Sequence, residues 1–131
     1  MHTPRILVVD DLPSKRAYLA DLTQCIRPSC EIIQAESAQQ AFRIIDACGE
    51  DGFEGGVIDF DLGGGYDGGD VIGRIRDRNP FANVALATAR NEASFEQEAK
   101  PIALAAGANE ALSTQQEDFE RRLSEVLSLA A

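Results

Sequence analysis

Arg5-Ile6-Leu7-Val8-Val9-Asp10-Asp11 runs four branched apolar residues straight into two carboxylates. A run that is apolar at every position, not at alternate ones, marks a strand covered on both faces of a sheet. The same transition recurs at Gly56-Val57-Ile58-Asp59-Phe60-Asp61. Three further β-rich stretches lie at 31–35, 83–87 and 109–113. With the first two at 5–9 and 56–60, successive starts are 26, 25, 27 and 26 residues apart.

Apolar residues at helical spacing fill the intervals. Residues 14–26 offer Ala17, Tyr18, Leu22, Cys25 and Ile26, and residues 38–48 offer Ala38, Ala41, Phe42, Ile45 and Cys48. Val71, Ile72 and Ile75 fall within 69–78, and Phe119, Leu123, Val126, Leu127 and Ala130 within 117–130. Strand–helix alternation at this period predicts an α/β fold, a parallel five-stranded sheet with helices on both faces. The fifth stretch, Asn-Glu-Ala-Leu-Ser, is the least apolar and suits a sheet edge.

The chain has 131 residues, 44% hydrophobic and 26% charged, which is globular composition with core enough for one domain, here 1–131. No linker or effector domain is expected. A net charge of −10 argues against a phosphate backbone as partner. No apolar run reaches membrane-spanning length, and no export signal is visible at the N-terminus. Cys25, Cys30 and Cys48 are odd in number and read as reduced thilos of a cytoplasmic protein rather than a disulfide framework.

In an open parallel sheet, ligands bind beyond the carboxyl ends of the strands, where the strand order reverses. For the order 2-1-3-4-5 that point lies between the first and third strands. Asp10-Asp11 and Asp59…Asp61 would then meet in one crevice. Carboxylates crowded together repel, and a divalent cation with hard oxygen ligands, magnesium above all, relieves the repulsion. Gly63, Gly64, Gly65, Gly68 and Gly69 lack both phosphate-loop and dinucleotide spacing and read as a turn.

These motifs together resemble the receiver domain of two-component response regulators. They are Ile6-Leu7-Val8-Val9-Asp10-Asp11, Val57-Ile58-Asp59 with Leu62-Gly63-Gly64, Asp67-Gly68, Leu86-Ala87-Thr88-Ala89 and Ala106-Gly107-Ala108, spanning about residues 4–130. The resemblance implies the flavodoxin-like order 2-1-3-4-5 and a phosphoryl group taken from a phosphohistidine onto Asp59. Asp61 is the competing acceptor, but Leu62-Gly63 fits the family register with Asp59. It also implies Mg2+ held by Asp11 and Asp59, with Asp10 acting through water and the Asp61 backbone carbonyl as a further ligand. Thr88, with Ala89 beside it, occupies the phosphoryl-binding switch position. The implied partners are a sensor histidine kinase or histidine phosphotransfer protein, a downstream protein, and a second copy of the chain as a homodimer option. No enzymatic activity is expected. His2, the single histidine, provides no built-in phosphohistidine donor of the usual kind.

Two departures stand against the resemblance. The strand-five Lys is replaced by Thr114, and the aromatic three residues earlier by Ala111. The segment from Thr88 to Gly107 is longer than usual, so 91–99 is expected to form a loop or short helix, with a second helix from Pro101 to Ala106. Arg90 and Asp61 lie on facing loops and are expected to pair, with Arg90 turning to a phosphoryl group in part for the absent Lys. The alternative function is a pseudo-receiver that keeps the fold as an interaction module without phosphoryl transfer.

Overall fold

The computed structural model describes residues 3–49 and 52–128. His2 and Ala130, which entered the sequence reading, lie outside the described residues. Five parallel strands, β1 (Arg5–Val9), β2 (Glu31–Ala35), β3 (Gly55–Ile58), β4 (Asn83–Thr88) and β5 (Glu110–Ser113), stand in the order β2-β1-β3-β4-β5. Val9 pairs with both Ala35 and Ile58, and Thr88 with Ser113, so the strands end level around the switch point. β3 is shorter at its carboxyl end than expected. Its ladder with β4 stops at Ile58–Leu86, although the Asp59 N–H still donates to the Val9 carbonyl at 2.8 Å.

Strand alternation divides the core in two. Leu7, Val9, Ile58, Val84 and Leu86 face one layer, with α2 (Ala38–Ala47), α3 (Gly68–Arg78) and α5 (Lys100–Ala106) over them. Val8, Val57, Ala85, Ala87 and Leu112 face the other, under α1 (Pro13–Ile26) and α6 (Phe119–Ser128). The apolar stripes expected for α2 and α3 and, over its described residues, for α6 are the ones packed inward.

The stripe expected for α1 is corrected in part, since its Leu22 and Ile26 do pack against the core. Ala17, Tyr18 and Cys25 are exposed, while Leu19, Ala20 and Thr23 are buried. Thr23 hides the true stripe because it is polar. Its hydroxyl donates to the Leu19 carbonyl at 2.7 Å, which removes the cost of burying it. Tyr18 turns outward to donate to Glu120 at 2.6 Å, and burial with this anionic partner pushes its phenol up to about 12. All three cysteines are free thiols.

The segment after β4 holds the short helix and the second helix expected of it, but the two are continuous. A single turn, α4 (Glu92–Ser94), is capped by the Asn91 side chain and runs through a π-helical turn (Phe95–Ala99) directly into α5. No loop separates them. Pro101 accounts for the π turn. Within a continuous helix, its ring would crowd the carbonyl four residues back, and it has no N–H to donate. Widening the turn, so that Lys100 donates to the Phe95 carbonyl five residues back, accommodates both. Among the described residues no helix is long and apolar enough to cross a membrane.

Candidate functional site at the carboxyl edge of the sheet

A crevice of about 330 Å³ opens beyond β1, β3 and β4, lined by Asp10, Asp11, Leu12, Lys15, Asp59, Asp61, Thr88, Ala89 and Arg90. Asp59 follows β3 directly and is 5% exposed. Gly68 makes its seat possible. A Cβ at Gly68 would stand 2.3 Å from the Asp59 carbonyl oxygen, so the start of α3 closes on the Asp59 backbone only without a side chain. Before it, Gly63, Gly64 and Gly65 all take positive φ (70°, 65° and 85°), which lets the chain double back within a few residues. Asp67 caps α3 in a reciprocal pair with Asp70.

Asp10 is completely buried and Asp11 is exposed. One oxygen from each of Asp10, Asp11 and Asp59 can be chosen so that all three lie within 4.8 Å of one another. The Leu12 N–H donates to Asp10 Oδ1 at 3.0 Å. Asp10 Oδ2 accepts no hydrogen bond within the described residues. The Lys15 Nζ is 3.0 Å away, close enough for an ion pair but without hydrogen-bond alignment. Hard oxygens gathered this closely, one buried without a hydrogen bond, fit a divalent cation. Burial raises the Asp59 carboxyl to about 6; Lys15 opposes the rise, and Asp10 and then Asp61 add to it.

Thr88 ends β4 and is 1% exposed. Thr114 is not among the residues lining the crevice. Its N–H donates to the Thr88 carbonyl at 2.9 Å, and its hydroxyl to the same oxygen at 3.4 Å. Arg90 donates to Asp61 through two nitrogens, at 2.7 and 3.0 Å, also donates to Glu98, and lies over the Phe60 ring at 4.6 Å. The expected Arg90–Asp61 pair is therefore present, with Glu98 as an unforeseen third member. These hydrogen bonds, that to Asp61 foremost, hold the guanidinium pKa further above its ordinary value.

Lys15 is the residue that sequence reasoning missed. Its Nζ donates to Asp59 Oδ1 at 3.0 Å and to the Ala87 carbonyl at 3.1 Å. A signal was available. Lys15 and Arg16 sit in the first turn of α1, which has no acidic residue. The helix dipole disfavours cations there unless an anion holds them. Arg16 donates to the Asp10 carbonyl at 2.8 Å, so both cations serve the end of β1.

No family model and no curated protein matches the sequence. Solved structures do match its fold. A response regulator from Burkholderia pseudomallei with a phosphorylated aspartic acid, calcium ion and citrate superposes with a TM-score of 0.74 at 23% identity, over 97% of this chain and 68% of that one. A response regulator receiver domain from Clostridium thermocellum gives 0.74 at 21%, over 97% and 93%. A two-component response regulator of the LuxR family from Aurantimonas gives 0.74 at 23%, over 98% and 86%. The chain has the fold of response regulator receiver domains, in the flavodoxin-like strand order.

Proposed function

We propose that this chain is the phosphoacceptor receiver of a two-component phosphorelay and takes a phosphoryl group onto Asp59 from a phosphohistidine on a kinase or phosphotransfer partner. One observation carries the reading. Asp59 stands nearly buried beyond the central strand, between the Asp10-Asp11 pair and the end of β4 at Thr88. Structures of the same fold include one described as holding a phosphorylated aspartic acid and a calcium ion.

An Asp59 carboxylate oxygen attacks phosphorus, forming an O–P bond as the N–P bond to imidazole breaks. The imidazole nitrogen leaves with the electron pair and takes a proton from water. Donor and acceptor are both anionic, so positioning and positive charge supply most of the catalysis. Asp11 and Asp59 would hold Mg2+, with Asp10 acting through water and the Asp61 carbonyl as a further ligand; the ion supplies charge neutralisation of the phosphoryl oxygens. Thr88 donates its hydroxyl to a phosphoryl oxygen, beside the Ala89 backbone. Arg90 can leave Asp61 and turn toward the same group from the rim. The protein is a stoichiometric acceptor, not an enzyme, and passes its state on by docking.

A second reading has its own observations. Ala111 is buried where the resemblance expects an aromatic, and Thr114 is turned to the Thr88 backbone. Both favour a pseudo-receiver that binds partners without phosphoryl transfer. Intact mass after incubation with phosphoramidate and Mg2+ separates the two. The receiver gains the mass of one phosphoryl group, and Asp59→Asn gains none. An unchanged parent mass supports the pseudo-receiver. A gain that survives Asp59→Asn and disappears in Asp61→Asn moves the acceptor to Asp61.

A further inference from the structure

Lys15 enters the crevice from α1, yet all its polar contacts are at strand ends. Its ammonium meets Asp10 Oδ2 after β1, Asp59 Oδ1 after β3, and the Ala87 carbonyl in β4, at 3.0, 3.0 and 3.1 Å. The side chain is 14% exposed, so the charge is largely shielded from solvent. Arg90, the other cation lining the crevice, is held at the rim by Asp61 and Glu98. A dianionic group bonded to Asp59 would therefore meet one cation already in place, and it is Lys15. The Ala87 contact sets that ammonium on the β4 side, next to Thr88.

We propose that Lys15 binds a phosphoryl oxygen on Asp59, so that the cation of this phosphoryl site comes from the first helix and not from β5. The assignment rests on the reading of Asp59 as phosphoacceptor. Before transfer, Lys15 occupies one oxygen of Asp59 and one of Asp10, and so offsets the repulsion between them. The same contacts set it against a divalent cation, which draws on the same carboxylates. After transfer the added charge gives both cations a ligand. Loss of the Lys15 charge should then weaken binding of a phosphoryl group and leave metal binding in its absence equal or tighter. A side chain that merely supports the fold gives no such split.

The test uses Lys15→Met, which keeps an unbranched apolar stem and removes the charge. Calorimetry measures Mg2+ alone, then beryllofluoride, which mimics the phosphoryl group, at saturating Mg2+. Beryllofluoride affinity should fall about ten- to a hundredfold, the scale of a lost charge-assisted hydrogen bond. Mg2+ affinity should stay equal or rise. A fall in beryllofluoride affinity smaller than about tenfold, or a parallel fall in Mg2+ affinity, overturns the assignment. Lys15→Gln takes the place of Lys15→Met should a metal-free melting curve show the latter unfolded. The parent's mass after phosphoramidate keeps the two levels apart. In that reaction an O–P bond to Asp59 forms as the N–P bond breaks, and the nitrogen leaves as ammonia. A parent with no gain overturns the phosphoacceptor reading and this assignment with it. A parent that gains the group, with Lys15→Met binding beryllofluoride as tightly, overturns this assignment alone.

Discussion

The two walls of the crevice are built differently. On the β1–β3 side, Asp10, Asp11 and Asp59 directly follow strands whose ladders run in register up to Val9 and Ile58. On the β4–β5 side, only Thr88 stands at a strand end within the crevice. The positive charge comes from elsewhere, Lys15 from α1 and Arg90 from the loop after β4. The neighbouring core draws on the segment after β4 as well. Ala111 is small, and Phe95, from the π turn, belongs to the same buried cluster. The difference teaches that strand ends fix carboxylates well, because backbone pairing sets their direction. A charge on a long side chain can reach the same point from several elements.

If the π turn is anchored by Phe95, which is 3% exposed, then Phe95→Ala should be the most damaging of the changes considered. A large-to-small change of this kind costs about 3–5 kcal/mol. A urea midpoint close to the parent's would show that the second wall does not depend on that ring. Gly68→Ala probes the first wall. The added Cβ meets the Asp59 carbonyl oxygen at 2.3 Å, a backbone atom that can move only with Asp59 itself. Overpacking of this sort costs about 1–3 kcal/mol, and it should also slow phosphoryl uptake from phosphoramidate. Uptake at the parent's rate would mean that the seat of Asp59 tolerates displacement.

The sequence was most legible where backbone pairing or a full apolar stripe governs. The runs at Arg5–Val9 and before Asp59 disclosed the buried strands, and the even spacing disclosed their parallel pairing, while the strand order came from the resemblance. Ala38, Ala41 and Ile45 read correctly because their face carries no polar interruption. α1 misled because Thr23 is satisfied by its own helix, a bond with no sequence periodicity. Lys15 was missed for a related reason. Two of its three partners, Asp59 and Ala87, are remote in sequence, 44 and 72 residues away, and only folding brings them together beside Asp10. The connection after Thr88 was partly legible. Pro101 marked an interruption, but a proline can be met by a break or by a widened turn, and packing of Phe95 and Ala99 decides for the turn.

The proposed magnesium site belongs to the first wall. Asp11 is exposed, so Asp11→Ala should leave metal-free stability close to the parent's. It should remove most of the stabilisation that Mg2+ gives the parent, about 1.4 kcal/mol at ten times the dissociation constant. Melting curves with and without millimolar Mg2+ measure the difference. An equal metal-induced shift in parent and variant would take Asp11 out of the metal site.

The smallest effect belongs to Arg90. Its side chain is 24% exposed and that of Asp61 55%, so solvent screens the pair, and double-mutant cycles of such pairs give about 0–1 kcal/mol. Glu98 competes for the same guanidinium, and the Phe60 ring beneath it adds about 0.5–1 kcal/mol at a site of this exposure. A cycle of Arg90→Ala and Asp61→Ala, read by urea unfolding without metal, should therefore give a coupling below about 1 kcal/mol. A bond this weak leaves Arg90 free to exchange Asp61 for a phosphoryl oxygen, which guanidinium binds through two nitrogens. Beryllofluoride affinity at saturating Mg2+ then separates the two cations of the crevice. Arg90→Ala should lower it by less than Lys15→Met, because Arg90 must first give up two carboxylates at the rim. Equal affinity in Arg90→Ala and the parent would confine Arg90 to tying the β3–α3 loop to the π turn after β4, and would leave the second wall with Lys15 as its one phosphoryl-binding cation.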